Sequence, residues 1–153
     1  MKIRIELIEE PAEEEIVIRC HSLSDEIARI QHAVSSVTAE KQSLVLYKEE
    51  TEYYIALEDI LFFQTESSGI QAHTRNDVYY VKFRLYELEE LLPAYFLRIS
   101  KSAIINVKQI YSLSKSSFST TSEAAFSGTH KKVFVSRFYM KLLKEKLMEM
   151  RMR

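Results

Sequence analysis

The chain has 153 residues, is 46% apolar and 28% charged, and carries a formal net charge of −1; that suits one compact domain with a real core, or a small domain with an appendage, and excludes a disordered chain. Its apolar runs fall far short of the ~20 residues that span a bilayer, and the opening MKIRIELIEEPAEEE turns acidic where a secretory signal needs an apolar block, so a cytoplasmic protein is expected. The single cysteine, Cys20, excludes an internal disulfide, and its setting EEEIVIRCHS reads as a packed structural thiol.

In chain order, MKIRIEL alternates Ile3, Ile5 and Leu7 with polar residues and EEIVIRC does so less cleanly, which predicts a strand pair joined across Glu9-Glu10-Pro11. A helix follows: Ser22 or Ser24 offers an N-cap, Asp25 and Glu26 suit its positive end, and Ile27, Ile30, Val34 and Val37 share one face. TAEKQS then marks a boundary, giving residues 1–40 as an N-terminal β-β-α extension and 41–153 as the main domain.

From Leu44 the chain turns to short β-rich runs: LVLYKE, TEYYIAL, ILFFQTE, IQAHTR, VYYVKF, AIINVKQIYSLS, FSTTS and KKVFVS. Within these, Ala103 to Ile110 reads as one strand, with Arg98, Lys101 and Ser102 leading into it. Two helices interrupt the pattern. LYELEELL carries Leu85, Leu88 and Leu92 and stops at Pro93, and SRFYMKLLKEKLMEM carries Phe138, Leu142, Leu143 and Leu147 behind a Ser136 cap as a core-facing stripe.

No catalytic constellation emerges. His21, His32, His73 and His130 are scattered without metal-ligand spacing, Gly69 and Gly128 are too few for a phosphate loop, and the serines lack a nucleophile-elbow setting. Glu87, Glu89 and Glu90 read as a solvated helix face. An enzyme, a cofactor, a metal and a small-molecule substrate are therefore not expected.

Charge is more informative. Residues 1–66 hold 15 Asp and Glu against 6 Lys and Arg, a balance of −9, whereas residues 67–153 hold 7 against 15, a balance of +8. A basic half beside an acidic one points to a polyanion, of which nucleic acid is the commonest. Three places concentrate suitable donors. They are Arg98, Lys101 and Ser102 in FLRISKSAIINVKQI; Lys131, Lys132 and Arg137 in KKVFVSR; and the turn Ser67-Ser68-Gly69. Asn106, an amide in an apolar run, is expected to bridge backbone groups.

DILFFQTESSG, YYVKFRLYELEELL, FLRISKSAIINVKQI and KKVFVSRFYMKLL together resemble, in order and spacing over residues 44–147, the LytTR-type DNA-binding domain of bacterial transcriptional regulators. The most specific element is Arg98, Lys101, Ser102, Ile105, Asn106 and Ile110. The resemblance implies an α+β but mainly β, elongated fold of about ten short strands with short helices. It also implies inter-strand loops that enter the major groove of double-stranded DNA, with contacts at Ser67, Ser68, Lys101 beside Arg98 and Ser102, and Arg137. Paired sites and a homodimer at least on DNA follow from the family's habit. The N-terminal 40 residues are too short for a receiver domain, which implies a stand-alone regulator. The acidic extension is then a candidate contact for self-association or for an inhibitory membrane-protein partner.

Two functions of different class stand. One is a sequence-specific regulator in which Lys101 and Arg137 reach base edges while Arg98, Ser102, Lys131 and Lys132 anchor phosphates. The alternative is a small interaction protein whose basic face and last helix dock on an acidic protein or membrane surface; a single-strand RNA binder stacking bases on Tyr and Phe is a weaker variant of the first.

Overall fold

The computed structural model describes residues 4–7, 15–38, 42–115 and 121–151, and the chain divides into two units, Met1–Glu40 and Lys41–Arg153. In the first, helix α1 spans Asp25–Thr38. Ser24 caps it, its Oγ accepting from Ile27 N at 3.3 Å and its carbonyl from Ala28 N at 3.0 Å. Ile27, Ile30 and Val34 are half-buried, as the helical period predicts; the Val37 side chain lies outside the described residues.

Among the described residues the expected N-terminal strand pair is not seen. Residues 4–7 and 15–20 carry no regular structure, and Ile5, Leu7, Ile16 and Val17 are exposed. A lone hairpin is marginal in water unless a third strand or a helix covers its apolar face, and alternation in sequence does not provide that cover. The expected Glu9-Glu10-Pro11 turn lies outside the described residues. Cys20 is exposed and free instead of packed.

Among its described residues the second unit holds ten strands. They are β1 (Ser43–Lys48), β2 (Thr51–Ala56), β3 (Phe62–Glu66), β4 (Gly69–His73), β5 (Val78–Val81), β6 (Phe96–Ser100), β7 (Ala103–Asn106), β8 (Ile110–Lys115), β9 (Ser122–Phe126) and β10 (Lys132–Val135). Helix α2 (Leu85–Leu91) precedes β6 and helix α3 (Arg137–Arg151) follows β10. Antiparallel pairing builds a seven-stranded sheet, β2-β1-β5-β4-β3-β7-β6, and a three-stranded sheet, β10-β9-β8.

The runs ILFF and AII explain how the sheets stack. Successive strand residues point to opposite faces, so an unbroken apolar run needs cover on both sides. Phe63 and Ile104 face one core with Leu46, Leu57, Leu85, Leu88 and Phe96, beneath α2. Phe62 and Ile105 face a second core with Ile99, Phe126, Val133, Val135 and Leu143, filled by the small sheet and α3.

Two further expectations change. The stretch Ala103 to Ile110 is not one strand: a 3-10 turn at Val107–Gln109 separates β7 from β8 and moves the chain from the large sheet to the small one. Asn106 makes that break, its Oδ1 accepting from Lys108 N at 3.1 Å while its Nδ2 donates to the Ile60 carbonyl at 2.9 Å. The amide is fully buried and bridges backbone groups, as expected. On α3, Phe138 and Leu142 are 81% and 51% exposed. Met140, Leu143, Leu147 and Met150 already complete a stripe at helical spacing against the second core, leaving Phe138 on the outer face.

Candidate nucleic-acid interface

Three polar turns are joined at one end of the stacked sheets. The first, Ser67-Ser68, closes β3 onto β4, with Glu66 paired to Gly69; Gly69 sits at φ 131°, where a side chain would be strained. Both serines are exposed. The second, Lys101-Ser102, links β6 to β7 beyond an irregularity in the ladder between Arg98 and Ser100. Such a bulge re-aims the strand end. The third is Ser136-Arg137, where β10 ends and α3 begins.

Backbone hydrogen bonds fix these turns to one another. Thr65 N donates to the Ser102 carbonyl at 2.8 Å, holding the first turn against the second, and Ser136 N donates to the Ile99 carbonyl at 2.8 Å, holding the third against β6. Lys101 and Arg137 are both exposed at this end, so their cations are free to meet a partner.

Arg98 is used differently. It lies within β6, is mostly buried, and sends its guanidinium around the second turn: Nε donates to the Ser100 carbonyl at 2.7 Å and Nη2 to the Lys101 carbonyl at 2.5 Å, while Nη1 pairs with Glu89 of α2. Ser102 N donates to Ser100 Oγ at 3.1 Å. The rigid fork of an arginine suits two carbonyls and a carboxylate at once. Glu89, read from the sequence as part of a solvated face, is therefore the anchor of this loop; adjacent helix acids gave no signal of it. Glu87 instead accepts from Arg84 N at 3.1 Å at the start of α2.

Lys131 and Lys132 are not brought to this end. Lys131 lies against the β4–β5 turn, its Nζ donating to the carbonyls of Thr74 at 2.8 Å and Asp77 at 2.6 Å. From Ser68 to Thr74 the chain runs the length of β4, about 20 Å at strand spacing. Burial holds the Lys131 pKa below its ordinary value, against the pull of Asp77. Lys132 is exposed, with Nζ 4.0 Å from Glu123. Arg75 completes the cross-sheet contact, donating to the Ser127 carbonyl at 2.9 Å and to Gln109 at 2.6 Å.

Among the described residues no group of three or more His, Cys, Asp or Glu is placed to hold a metal ion, and no helix is long and apolar enough to cross a membrane.

A strand-built domain that gathers polar and basic turns at one end, with two exposed cations among them, has the form of a nucleic-acid-binding module. Residues 50–148 match the LytTr DNA-binding domain family, so the chain belongs to the LytTR family. An uncharacterized HTH-type transcriptional regulator of Staphylococcus aureus (strain bovine RF122 / ET3-1) is 35% identical over 106 residues, 69% of this chain and 71% of the relative. A similarly described protein of strain MSSA476 is 34% identical over the same lengths. The fold matches the LytTr DNA-binding domain of a Bacillus cereus protein described as a methyl-accepting/DNA response regulator, with a TM-score of 0.62 and 21% identity over 71% of this chain and 98% of that one.

Proposed function

We propose that the chain is a sequence-specific, double-stranded DNA-binding transcription regulator that inserts its inter-strand turns into the major groove. The observation that carries this is the pair of backbone bonds, Thr65 to Ser102 and Ser136 to Ile99, which makes one surface of three donor-bearing turns. Lys101 and Arg137 reach base edges, Ser67 and Ser68 contact DNA from the first turn, and Ser102 meets a phosphate. Arg98 and Lys131, with their donors engaged internally, shape the surface. Helices α2 and α3 are separated by five strands, which favours turns over a recognition helix as the reading elements.

Two copies on paired sites give the expected stoichiometry, and the acidic Met1–Glu40 unit is available for self-association or for a membrane-bound inhibitor. Enrichment from a random duplex pool at near-physiological salt tests the reading. A motif preferred about a thousandfold over shuffled DNA, lost in Lys101→Ala or Arg137→Ala, is the expected result. A second reading has one observation in its favour: Phe138 and Leu142 are exposed on α3 beside Arg137, Lys141 and Lys144, as a helix docking on an acidic protein or anionic membrane would be. No enriched motif in the pool selects that reading.

A further inference from the structure

A polar ladder runs along the sheet face behind the first turn. Gln71 on β4 pairs in register with Tyr80 on β5, and His73 follows Gln71 two residues on, so all three side chains share a face. His73 Nε2 lies 3.2 Å from Gln71 Oε1, Gln71 Nε2 lies 3.5 Å from Tyr80 Oη, and Tyr80 Oη lies 3.1 Å from Ser68 Oγ.

The buried end sets the direction of these bonds. Among the described residues His73 Nδ1 finds no hydrogen-bond partner, buried in a ring stacked on Phe62 at 4.3 Å. An orphaned N–H is rarer, and costs more, than an unused acceptor lone pair, so the neutral ring keeps its proton on Nε2 and donates to Gln71 Oε1. Burial and, second, the Lys131 cation push the His73 pKa down to about 4, which keeps the ring neutral. With its oxygen occupied, Gln71 offers its amide N–H to Tyr80 Oη. Tyr80 Oη and Ser68 Oγ can each donate across their 3.1 Å contact; in the arrangement where the phenol, accepting from Gln71, gives its own proton to Ser68 Oγ, the Ser68 hydroxyl proton is turned outward.

We propose that the ladder His73–Gln71–Tyr80–Ser68 fixes the polarity of the first turn, so that Ser68 meets DNA as a hydrogen-bond donor and selects an acceptor there. Tyr80 and Gln71 are positioning residues in this scheme. The acceptor is a base-edge atom (purine N7, guanine O6 or thymine O4) or a phosphate oxygen; the amino groups of cytosine and adenine are disfavoured. The inference rests on the DNA-binding reading above.

The test is a double-substitution cycle on the full chain with duplexes drawn from a random pool. Tyr80→Phe keeps the ring and removes the hydroxyl; Ser68→Ala removes the reader. Each is expected to weaken binding to the enriched motif about three- to tenfold, and the double variant no more than either alone. If the acceptor is on a base, both variants relax the preference at the same position; if it is a phosphate, both weaken all sequences alike and leave the motif unchanged. Wild-type affinity in Tyr80→Phe, or losses that multiply in the double variant, overturns the ladder. Should Tyr80→Phe unfold, Gln71→Met breaks the chain of bonds one step earlier and takes its place in the cycle. A wild-type chain that enriches no motif overturns the DNA-binding reading itself, whereas a clear motif with an additive cycle removes the ladder alone.

Discussion

Lys131 Nζ lies 2.6 Å from the carbonyl oxygen of Asp77 and 2.8 Å from that of Thr74, so a lysine at the entry to β10 of the small sheet closes the β4–β5 turn of the large one. Thr129 Oγ1 adds a bond to the Arg75 carbonyl at 3.0 Å from the same loop. Lys131→Met keeps the aliphatic stem and removes two charge-assisted bonds, which should cost about 2 kcal/mol in urea unfolding. Lys132→Ala, on the exposed neighbour, should stay within about 0.5 kcal/mol. If Lys131 acts only through this contact, Lys131→Met leaves the salt dependence of DNA binding unchanged. A fall of about one in that slope would mark it as a phosphate ligand after all.

Asn106 combines full burial with bonds to the Ile60 carbonyl and the Lys108 amide, and its own backbone N–H donates to the Leu61 carbonyl at 2.8 Å. Asn106→Leu fits the apolar run around it yet removes both bonds and leaves the Ile60 carbonyl without its amide partner in the interior. A loss of about 3 kcal/mol in unfolding free energy is expected. A neutral result would mean that the turn between β7 and β8 finds other partners.

His73 makes stability depend on pH with a defined sign. Its folded pKa of about 4 lies below the ordinary 6.5, because burial and then Lys131 disfavour the cation. Between those values the unfolded chain holds the proton and the folded chain does not. The contribution is therefore complete above pH 6.5 and lost as the pH falls towards 4. Allowing for partial exposure it amounts to about 2 kcal/mol. Unfolding curves at the two ends of this range, for wild type and His73→Phe, should differ in this component alone; equal pH slopes in both proteins would assign it elsewhere.

Most strands of the main domain were legible because their apolar residues recur with a period of two between clear turns; the exceptions are β6, where Arg98 was expected only to lead into the next strand, and β9, which runs Ser122–Phe126 where FSTTS was expected, a run whose first residues lie outside the described ones. The runs ILFF and AII depart from that period because both of their faces are covered. Asn106 was readable as a bridge, since an amide flanked by Ile105 and Val107 has few other uses. What escaped depends on contacts distant in sequence. Nothing in KKVFVSR distinguishes Lys131, which turns inward to Thr74, from Lys132, which does not. Nothing in LYELEELL separates Glu89 from its neighbours, because its meaning comes from Arg98 across the α2–β6 junction. The alternation of MKIRIEL was genuine, but period two without a covering layer does not hold a strand.

Arg98 supports the second turn through three bonds at once, and replacing it with another cation separates charge from shape. Arg98→Lys keeps the charge but offers one ammonium where a planar fork held the carbonyls of Ser100 and Lys101 and the Glu89 carboxylate. The turn that carries Lys101 should loosen. Affinity for the enriched duplex should drop about tenfold or more with the salt slope unchanged, because no phosphate contact has been removed. Glu89→Gln, which leaves the two carbonyl bonds in place, should reproduce only part of that loss. Anisotropy titrations at several salt concentrations measure both quantities. Full affinity and an unaltered motif in Arg98→Lys would show that a positive charge, not the fork, is what this position supplies.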